Sequence, residues 1–158
     1  MSRIKICGLR RPEDIAAVNE ARPDYCGFIV EYPKSRRSID RAILRELVRG
    51  LREEIVPVGV FVNAPKELVA ELLEEGTIQI AQLHGQESQE YIQELKALTE
   101  KPLIQAFSIK SKEDVERARE SVADYILLDQ GSGGTGKVFD WSLVLSLIHI
   151  SEPTRRTP

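Results

Sequence analysis

The stretch that decides the fold is Val56–Leu83, VPVGVFVNAPKELVAELLEEGTIQIAQL. Its two apolar runs, Val56–Val62 and Ile78–Leu83, have the length and the β-branched composition of buried strands. Between them, four apolar side chains recur at the spacing of one helical face: Leu68, Val69, Leu72 and Leu73. Two strands joined by a helix run parallel, because a hairpin needs a short connection. This stretch therefore predicts one βαβ unit.

The same unit recurs on both sides of this stretch. Four further apolar runs are predicted as strands: Ile4–Cys7, Tyr25–Val30, Leu103–Phe107 and Tyr125–Asp129. The clearest helical pattern between them is the face formed by Ile39, Ile43, Leu47 and Leu51. We expect Pro12, Asn63 and Ser111 to mark helix starts, Ser111 through a capping box with Asp114. Six parallel strands with intervening helices fit a doubly wound α/β sheet or a shortened β/α barrel, since eight units need roughly 200 residues or more.

Composition and charge exclude several classes of function. The chain has 158 residues, 42% hydrophobic and 30% charged, with a formal net charge of −3. This mixture excludes a disordered, collagen-like or coiled-coil chain, and the acidity argues against a nucleic-acid partner. No apolar run approaches the 18 or so residues of a membrane span, and the start, MSRIKICGL, lacks a signal peptide. Two cysteines, Cys7 and Cys26, are too few for a disulfide scaffold, so we expect free thiols in the cytoplasm.

Two residues at strand ends are candidates for acid–base chemistry. Cys7 ends the first strand and precedes Gly8, and Asp129 ends the last one. In parallel α/β folds the active site lies at the carboxyl ends of the strands. Lys5 shares a strand face with Cys7 and is placed to favour its thiolate. The structural alternatives are a small buried thiol for Cys7 and a turn aspartate for Asp129.

A glycine-rich segment follows Asp129. Gly131–Lys137, GSGGTGK, nearly matches the phosphate-binding loop G-x-x-x-x-G-K-[ST]. Val138 occupies the position of the hydroxyl that binds magnesium, and three residues intervene before any helix. A nucleoside-triphosphate site is therefore not favoured, and we interpret the segment as a mobile loop beside a catalytic acid.

Two further strand ends carry polar residues. Tyr32–Ser38, YPKSRRS, places three cations within four residues and is either a solvated turn or an anion clamp. His84 follows the fourth predicted strand, and it is either a loop histidine or a site residue. No second histidine stands at metal-ligand spacing from His84, and His149 lies in the poorly patterned end of the chain. We therefore predict no metal site.

Five spaced motifs together resemble one family, phosphoribosylanthranilate isomerase. They are KICGL at Lys5–Leu9, GFIVEYPKSRRSI at Gly27–Ile39, VGVFVN at Val58–Asn63, QLHG at Gln82–Gly85 and LLDQGSGGTGKVFDWSL at Leu127–Leu143. The resemblance implies a (β/α)8 TIM barrel and an isomerase of tryptophan, hence aromatic amino acid, biosynthesis. The implied reaction is the Amadori rearrangement of N-(5-phosphoribosyl)anthranilate, a small phosphorylated substrate, to 1-(2-carboxyphenylamino)-1-deoxyribulose 5-phosphate, with no cofactor or metal.

The resemblance also implies roles for individual residues. Cys7 matches the family's general base and Asp129 its general acid. Arg37 matches the position that contacts the anthranilate group. Gln82 and His84 match residues of the fourth strand that line the site.

The chain departs from the family near its end. Residues 1–145 account for about six of the eight βα units, and residues 146–158, SLIHISEPTRRTP, do not resemble the family. We expect these last residues to form a disordered tail. Because the family's last two units bind the substrate phosphate, we assign no phosphate-binding residues and expect weak binding and little turnover. The alternatives are another phosphate-handling β/α-barrel enzyme, a P-loop protein and a non-catalytic fragment.

Overall fold

The computed structural model describes residues 4–84 and 86–129. The glycine-rich segment Gly131–Lys137 and the predicted tail at residues 146–158 lie outside the described residues, as does His149. The side chain of Asp129 lies outside them as well, although its backbone ends a strand.

The described residues alternate strands and helices along the chain. The strands are β1 Lys5–Cys7, β2 Tyr25–Val30, β3 Ser38–Ile39, β4 Val56–Phe61, β5 Ile80–Leu83, β6 Leu103–Ser108 and β7 Tyr125–Asp129. The helices are α1 Pro12–Ala21, α2 Arg41–Arg49, α3 Lys66–Glu74, α4 Gln89–Leu98 and α5 Lys112–Arg119. All six predicted strands are present within two residues of their expected bounds. None of these five helices is long and apolar enough to span a lipid bilayer.

Every strand pair in this sheet is parallel, as the βαβ pattern predicts. The strand order is β1-β2-β4-β5-β6-β7, with the short β3 beside β2. The order follows the chain without reversing, which is the arrangement of a β/α barrel rather than of a doubly wound sheet. The sheet is also curled. This follows from the hydrogen bond that Lys5 on β1 donates to Gln82 on β5, since two strands lie between β1 and β5. In a flat sheet these strands would lie about 14 Å apart, at about 4.8 Å per strand.

The region around α2 differs from the sequence-based expectation. Ile39 was expected on the helical face, but it lies in β3, which pairs with Val30 of β2. The helix begins only after Asp40, whose carboxylate accepts a hydrogen bond from the Ile43 backbone N–H at 2.8 Å. Because the cap sets the phase of the helix, Leu44 and Leu47 are buried while the Ile43 side chain is exposed.

Two helices have an aspartate in their first turn whose carboxylate accepts hydrogen bonds from backbone N–H groups just before the helix. Asp14 accepts from the N–H groups of Arg10 and Arg11, which lowers the pKa of that carboxyl. Asp114 accepts from the N–H groups of Lys110 and Ser111, with the same effect on its pKa. The predicted capping box at the start of α5 is thus confirmed. These caps satisfy N–H groups that a helix start leaves without partners.

The main hydrophobic core lies between the sheet and the helices. Its fully buried members include Phe28, Leu44, Phe61, Leu72 and Leu95, which come from strands and helices alike. A smaller cluster is formed by Val115 and Ala118 of α5 with Ile109, which precedes that helix. This packing fixes the outer face of the sheet and leaves the polar side chains at the carboxyl ends of the strands free to form a site.

Candidate active site

The carboxyl ends of the strands bring the predicted site residues to one edge of the sheet. Cys7 ends β1, and His84 comes directly after β5. Asp129 ends β7, where its backbone pairs in register with Ser108 at the end of β6. The sequence-based placement of these three residues at a single edge is therefore confirmed for the backbone.

Cys7 occupies a space that a glycine leaves open. Its side chain is exposed and its thiol is free. Cys7 pairs in register with Gly27 of β2, and a Cβ built on Gly27 would lie 2.6 Å from Cys7 Sγ. No side chain larger than hydrogen fits there without displacing the thiol. A glycine inside a strand is the sequence signal of such close approach.

A chain of hydrogen bonds crosses the inside of the sheet from β1 to β5. The Lys5 ammonium donates to Oε1 of Gln82, which is buried. The Gln82 amide Nε2 lies 3.4 Å from Nδ1 of His84. Because an amide nitrogen can only donate, a hydrogen bond between these two atoms has Nδ1 as its acceptor. Burial lowers the pKa of Lys5, against a smaller opposing effect of Cys7.

Arg37 lies over the turn that follows Cys7. Gly8 has a φ of +87°, and a Cβ built on it would lie 2.6 Å from Cδ and 2.9 Å from Nη1 of Arg37. The neighbouring loop is also tied to this turn, since Arg10 Nη1 donates to the carbonyl of Arg36 at 3.0 Å. Arg37 and Cys7 thus flank the same turn, as an anion clamp beside a nucleophilic or basic sulfur requires.

The loop that carries Arg37 is anchored at both ends. The Tyr32 N–H donates to Ser38 Oγ at 2.7 Å, and the Glu31 N–H donates to the Ile39 carbonyl at 2.8 Å. Glu31 has a φ of +51°, an uncommon conformation for a residue with a side chain, and its carboxylate forms an ion pair with Arg41 at 3.0 Å. The ends of the loop are therefore fixed, while Arg36 and Arg37 between them are exposed to solvent.

Asn63 does not cap α3, contrary to the sequence-based expectation. Pro65 occupies the N-cap position. Asn63 instead adopts a φ of +52°, and its Oδ1 accepts from the Gln86 N–H at 2.9 Å. Its own N–H donates to the buried carboxylate of Glu87 at 2.7 Å. These bonds join the loops after β4 and β5, and only the tertiary fold brings them together, so Glu87 was not among the predicted residues.

Beside this edge a cleft of about 600 Å³ runs from His84 along the end of β6. Its lining includes Glu87, Gln105, Ser108 and Arg117. Cys7 and Arg37 do not line this cleft, so it adjoins the site at His84. Within residues 4–84 and 86–129, no group of three His, Cys, Asp or Glu side chains is placed to hold a metal ion.

Four of the five predicted site residues lie together at this edge, through contacts of their side chains or of the adjacent residues. Cys7, Arg37, Gln82 and His84 come from three segments far apart in sequence. They offer a sulfur base, a cation for a carboxylate or phosphate, and polar groups for hydroxyls. The fifth residue, Asp129, shares the edge through its backbone position.

Comparisons with known proteins agree on one family. Residues 4–153 match the family model described as N-(5'phosphoribosyl)anthranilate (PRA) isomerase. The N-(5'-phosphoribosyl)anthranilate isomerase of Caldanaerobacter subterraneus subsp. tengcongensis is 42% identical over 148 residues, which cover 91% of this chain and 70% of that protein. The enzyme of the same name from Acetivibrio thermocellus is 44% identical over 153 residues, covering 90% of this chain and 69% of that one.

Solved structures give the same result for the fold. The crystal structure of phosphoribosyl anthranilate isomerase from Thermotoga maritima superposes with a TM-score of 0.80 at 35% identity, covering 99% of this chain and 74% of the other. A phosphoribosyl anthranilate isomerase in complex with reduced 1-(O-carboxyphenylamino)-1-deoxyribulose 5-phosphate superposes with a TM-score of 0.77 at 33% identity, covering 99% and 73%.

Proposed function

Because this chain belongs to the N-(5'-phosphoribosyl)anthranilate isomerase family, we propose that it catalyses the isomerisation that gives the family its name, a step of tryptophan biosynthesis. The substrate N-(5'-phosphoribosyl)anthranilate rearranges to 1-(2-carboxyphenylamino)-1-deoxyribulose 5-phosphate. Substrate and product are isomers, so the reaction moves protons and needs no net oxidant. The observation that carries the proposal is the convergence of Cys7, Arg37, Gln82 and His84 at one edge of a β/α barrel sheet.

The first chemical step opens the ribose ring, and we assign it to Asp129 as general acid. Its carboxyl group gives a proton to the ring oxygen while the bond between that oxygen and C1' breaks. The lone pair of the anthranilate nitrogen forms the new C1'=N bond of a protonated Schiff base. The position of Asp129 at the carboxyl end of β7 supports this role. A positioned acid contributes about 10²–10⁴-fold to such a step.

The second step removes the C2' proton, and we assign it to Cys7 as general base. The thiolate takes the proton, and the electrons of the C2'–H bond form a C1'=C2' enolamine while the Schiff base nitrogen becomes neutral. Tautomerisation then moves the hydroxyl proton of C2' to C1', which leaves a ketone at C2'. The exposed, unpaired thiol of Cys7 beside the Lys5 ammonium supports this role.

The remaining residues bind and orient the substrate. Arg37 is suited to the anthranilate carboxylate, because a guanidinium matches that group with two parallel hydrogen bonds. Gln82 and His84, whose side chains lie 3.4 Å apart, are suited to hydrogen bonds with the substrate hydroxyls. We further propose that the protein works in the cytoplasm, where Cys7 stays reduced.

Two alternative functions make different demands on the chain. Another phosphate-handling barrel enzyme would require other groups than a thiol at the end of β1, and the family match does not favour it. A P-loop protein would bind ATP through Gly131–Lys137, but the missing hydroxyl at Val138 argues against magnesium there. Calorimetry with ATP and magnesium distinguishes the P-loop alternative, since our proposal predicts no heat of binding.

The test is an isomerase assay on a hybrid protein. In this hybrid protein, residues 4–145 of this chain replace the aligned segment of the Caldanaerobacter relative. The rest of the hybrid protein has the sequence of that relative. Chromatography separates the substrate from its isomeric product. We expect the hybrid protein to convert the substrate, and its Cys7→Ala variant to lose at least about a hundredfold in rate. A folded hybrid protein without turnover, measured beside the active parent enzyme, would contradict the proposal.

A further inference from the structure

We propose that Lys5 is a positioning residue that holds Cys7 as a thiolate, and that Gln82 keeps the Lys5 ammonium in place. The inference rests on the proposed function for its purpose, because a general base must be deprotonated before it can accept the C2' proton. Its evidence is independent of that function, since it lies in the packing of three side chains.

The side chains of Lys5 and Cys7 share one space. Both residues lie on one face of β1 and point over Gly27 of β2. The three atoms closest to a Cβ built on Gly27 are Cys7 Sγ at 2.6 Å, Cys7 Cβ at 3.2 Å and Lys5 Cε at 3.2 Å. The carbon that bears the ammonium and the sulfur are thus neighbours over one glycine. A cation at this position stabilises a thiolate and does nothing comparable for a neutral thiol.

A contact with Gln82 holds the ammonium. Lys5 Nζ donates to Gln82 Oε1, and Gln82 is buried in the sheet interior. Because an ammonium can only donate, the oxygen of Gln82 faces Lys5, and the amide nitrogen at the other end lies 3.4 Å from Nδ1 of His84. An ammonium that swung out to solvent would leave a buried carbonyl oxygen without this donor, at a free-energy cost.

Two opposing electrostatic effects act on Lys5. Burial lowers the pKa of Lys5, and the charge of Cys7 acts in the opposite direction. A partly buried ammonium is costly to keep charged on its own. A negative charge on Cys7 reduces part of that cost, and the same attraction favours the thiolate.

Other titratable groups approach the pair from the neighbouring elements. Tyr25 of β2 pairs in register with Lys5, and His84, directly after β5, lies beyond Gln82. Arg37 lies over Gly8, the residue after Cys7, and contributes further positive potential there. A change at Lys5 leaves these groups in place, so it isolates the contribution of the ammonium.

The test measures how fast iodoacetamide alkylates Cys7 in the 158-residue chain between pH 5 and pH 10, without substrate. Alkylation requires the thiolate, so the midpoint of the rate profile reports its formation. Mass spectrometry separates the Cys7 and Cys26 peptides. Cys26 is fully buried, and burial raises the pKa of its thiol to about 11, so it serves as the unreactive internal reference.

We expect Lys5→Met to move the midpoint upward by about one pH unit and to slow alkylation at neutral pH about tenfold. Lys5→Arg, which keeps the charge, should retain most of the wild-type rate. Lys101→Met is the matched control, because it removes the same charge from an exposed position at the other end of the sheet, and its profile should equal that of the wild type.

Gln82→Leu tests the holding contact. We expect a smaller upward shift of the midpoint, and no further shift when Gln82→Leu is added to Lys5→Met, because both changes remove one interaction. A folded Lys5→Met chain with the wild-type midpoint would overturn the proposal. If Lys5→Met does not fold, a wild-type midpoint in Gln82→Leu overturns it instead.

The result of the alkylation experiment can be distinguished from the result of the isomerase assay. An unshifted midpoint together with normal turnover of the hybrid protein would remove only the role of Lys5. A shifted midpoint together with an inactive hybrid protein would leave Lys5 beside a thiolate and remove the isomerase activity.

Discussion

Gly27 on β2 and Cys7 on β1 pair in register, and the thiol of Cys7 fills the space where Gly27 lacks a side chain. A Cβ at Gly27 would lie 2.6 Å from the sulfur, which is closer than real Cβ contacts allow. We predict that Gly27→Ala displaces Cys7 and lowers turnover of the hybrid protein about a hundredfold, because a shift of 1 Å at a reacting group costs about that much. The measurement is the initial rate of isomerisation at saturating substrate.

The control for that prediction is Gly50→Ala. A Cβ at Gly50 would meet Ile15 and Leu47 at 3.5 Å and 3.6 Å, which are ordinary contacts. Its turnover should equal that of the parent hybrid protein. Equal activity of Gly27→Ala and Gly50→Ala would show that the position of the thiol does not matter.

Arg37 is predicted to bind the carboxylate of the substrate rather than to act in a proton transfer. Arg37→Ala should raise KM about 10- to 100-fold and change kcat little, since a charged hydrogen bond contributes about 1.5–3 kcal/mol. The matched control is Arg36→Ala, which keeps the backbone carbonyl that accepts from Arg10. A fall in kcat with an unchanged KM in Arg37→Ala would contradict this assignment.

Asp129 is predicted to protonate the ribose ring oxygen. Asp129→Asn removes the acid and leaves a side chain of similar size, so kcat should fall about 10²–10⁴-fold. Asp124→Asn serves as the control, because Asp124 stands just before the other end of β7 and accepts a hydrogen bond from the Leu103 N–H at 2.9 Å. An Asp129→Asn variant with retained turnover would exclude Asp129 as the acid.

Asp114 is predicted to make stability depend on pH at the acidic end. Hydrogen bonds from the Lys110 and Ser111 backbone lower the pKa of its carboxyl in the folded state. Its stabilisation is therefore present above the unfolded-state pKa of about 3.9 and is lost as the pH falls through the lower folded-state value. Asp114→Ala should cost about 1 kcal/mol at pH 7, and the difference from wild type should vanish in strong acid.

The measurement for Asp114 is urea unfolding of the 158-residue chain across that pH range. Glu113→Ala is the control, because Glu113 is an exposed neighbour in the same helical turn and its removal should be nearly neutral. A difference between wild type and Asp114→Ala that persists unchanged into strong acid would contradict the account.

The sequence predicted the strands well because each is a short apolar run bounded by turn residues. The position of α2 was predicted less well, since Ile39 has an apolar side chain in phase with Leu47. Only the Asp40 cap and the pairing of β3 with β2 decide where the helix begins. The Asp40 cap is a local signal that the apolar periodicity does not include, and the strand pairing is a tertiary contact.

The candidate site shows the same division. The positions of Cys7 and Asp129 at the carboxyl ends of β1 and β7 were predictable, because each residue closes a short apolar run in a parallel sheet. The contact between Lys5 and Gln82 was not predictable, because it joins strands 77 residues apart and depends on the curl of the sheet. The close approach at Gly27 does have a signal in the sequence, an isolated glycine inside a strand.

The most direct test of the central claim follows the proton that Cys7 is proposed to remove. The measurement is the rate at which the hybrid protein releases deuterium from substrate labelled at C2', with and without Cys7→Ala. We predict release coupled to product formation in the parent, and a loss of at least about a hundredfold in Cys7→Ala. Undiminished release from a folded Cys7→Ala protein would contradict the claim that this thiol is the base.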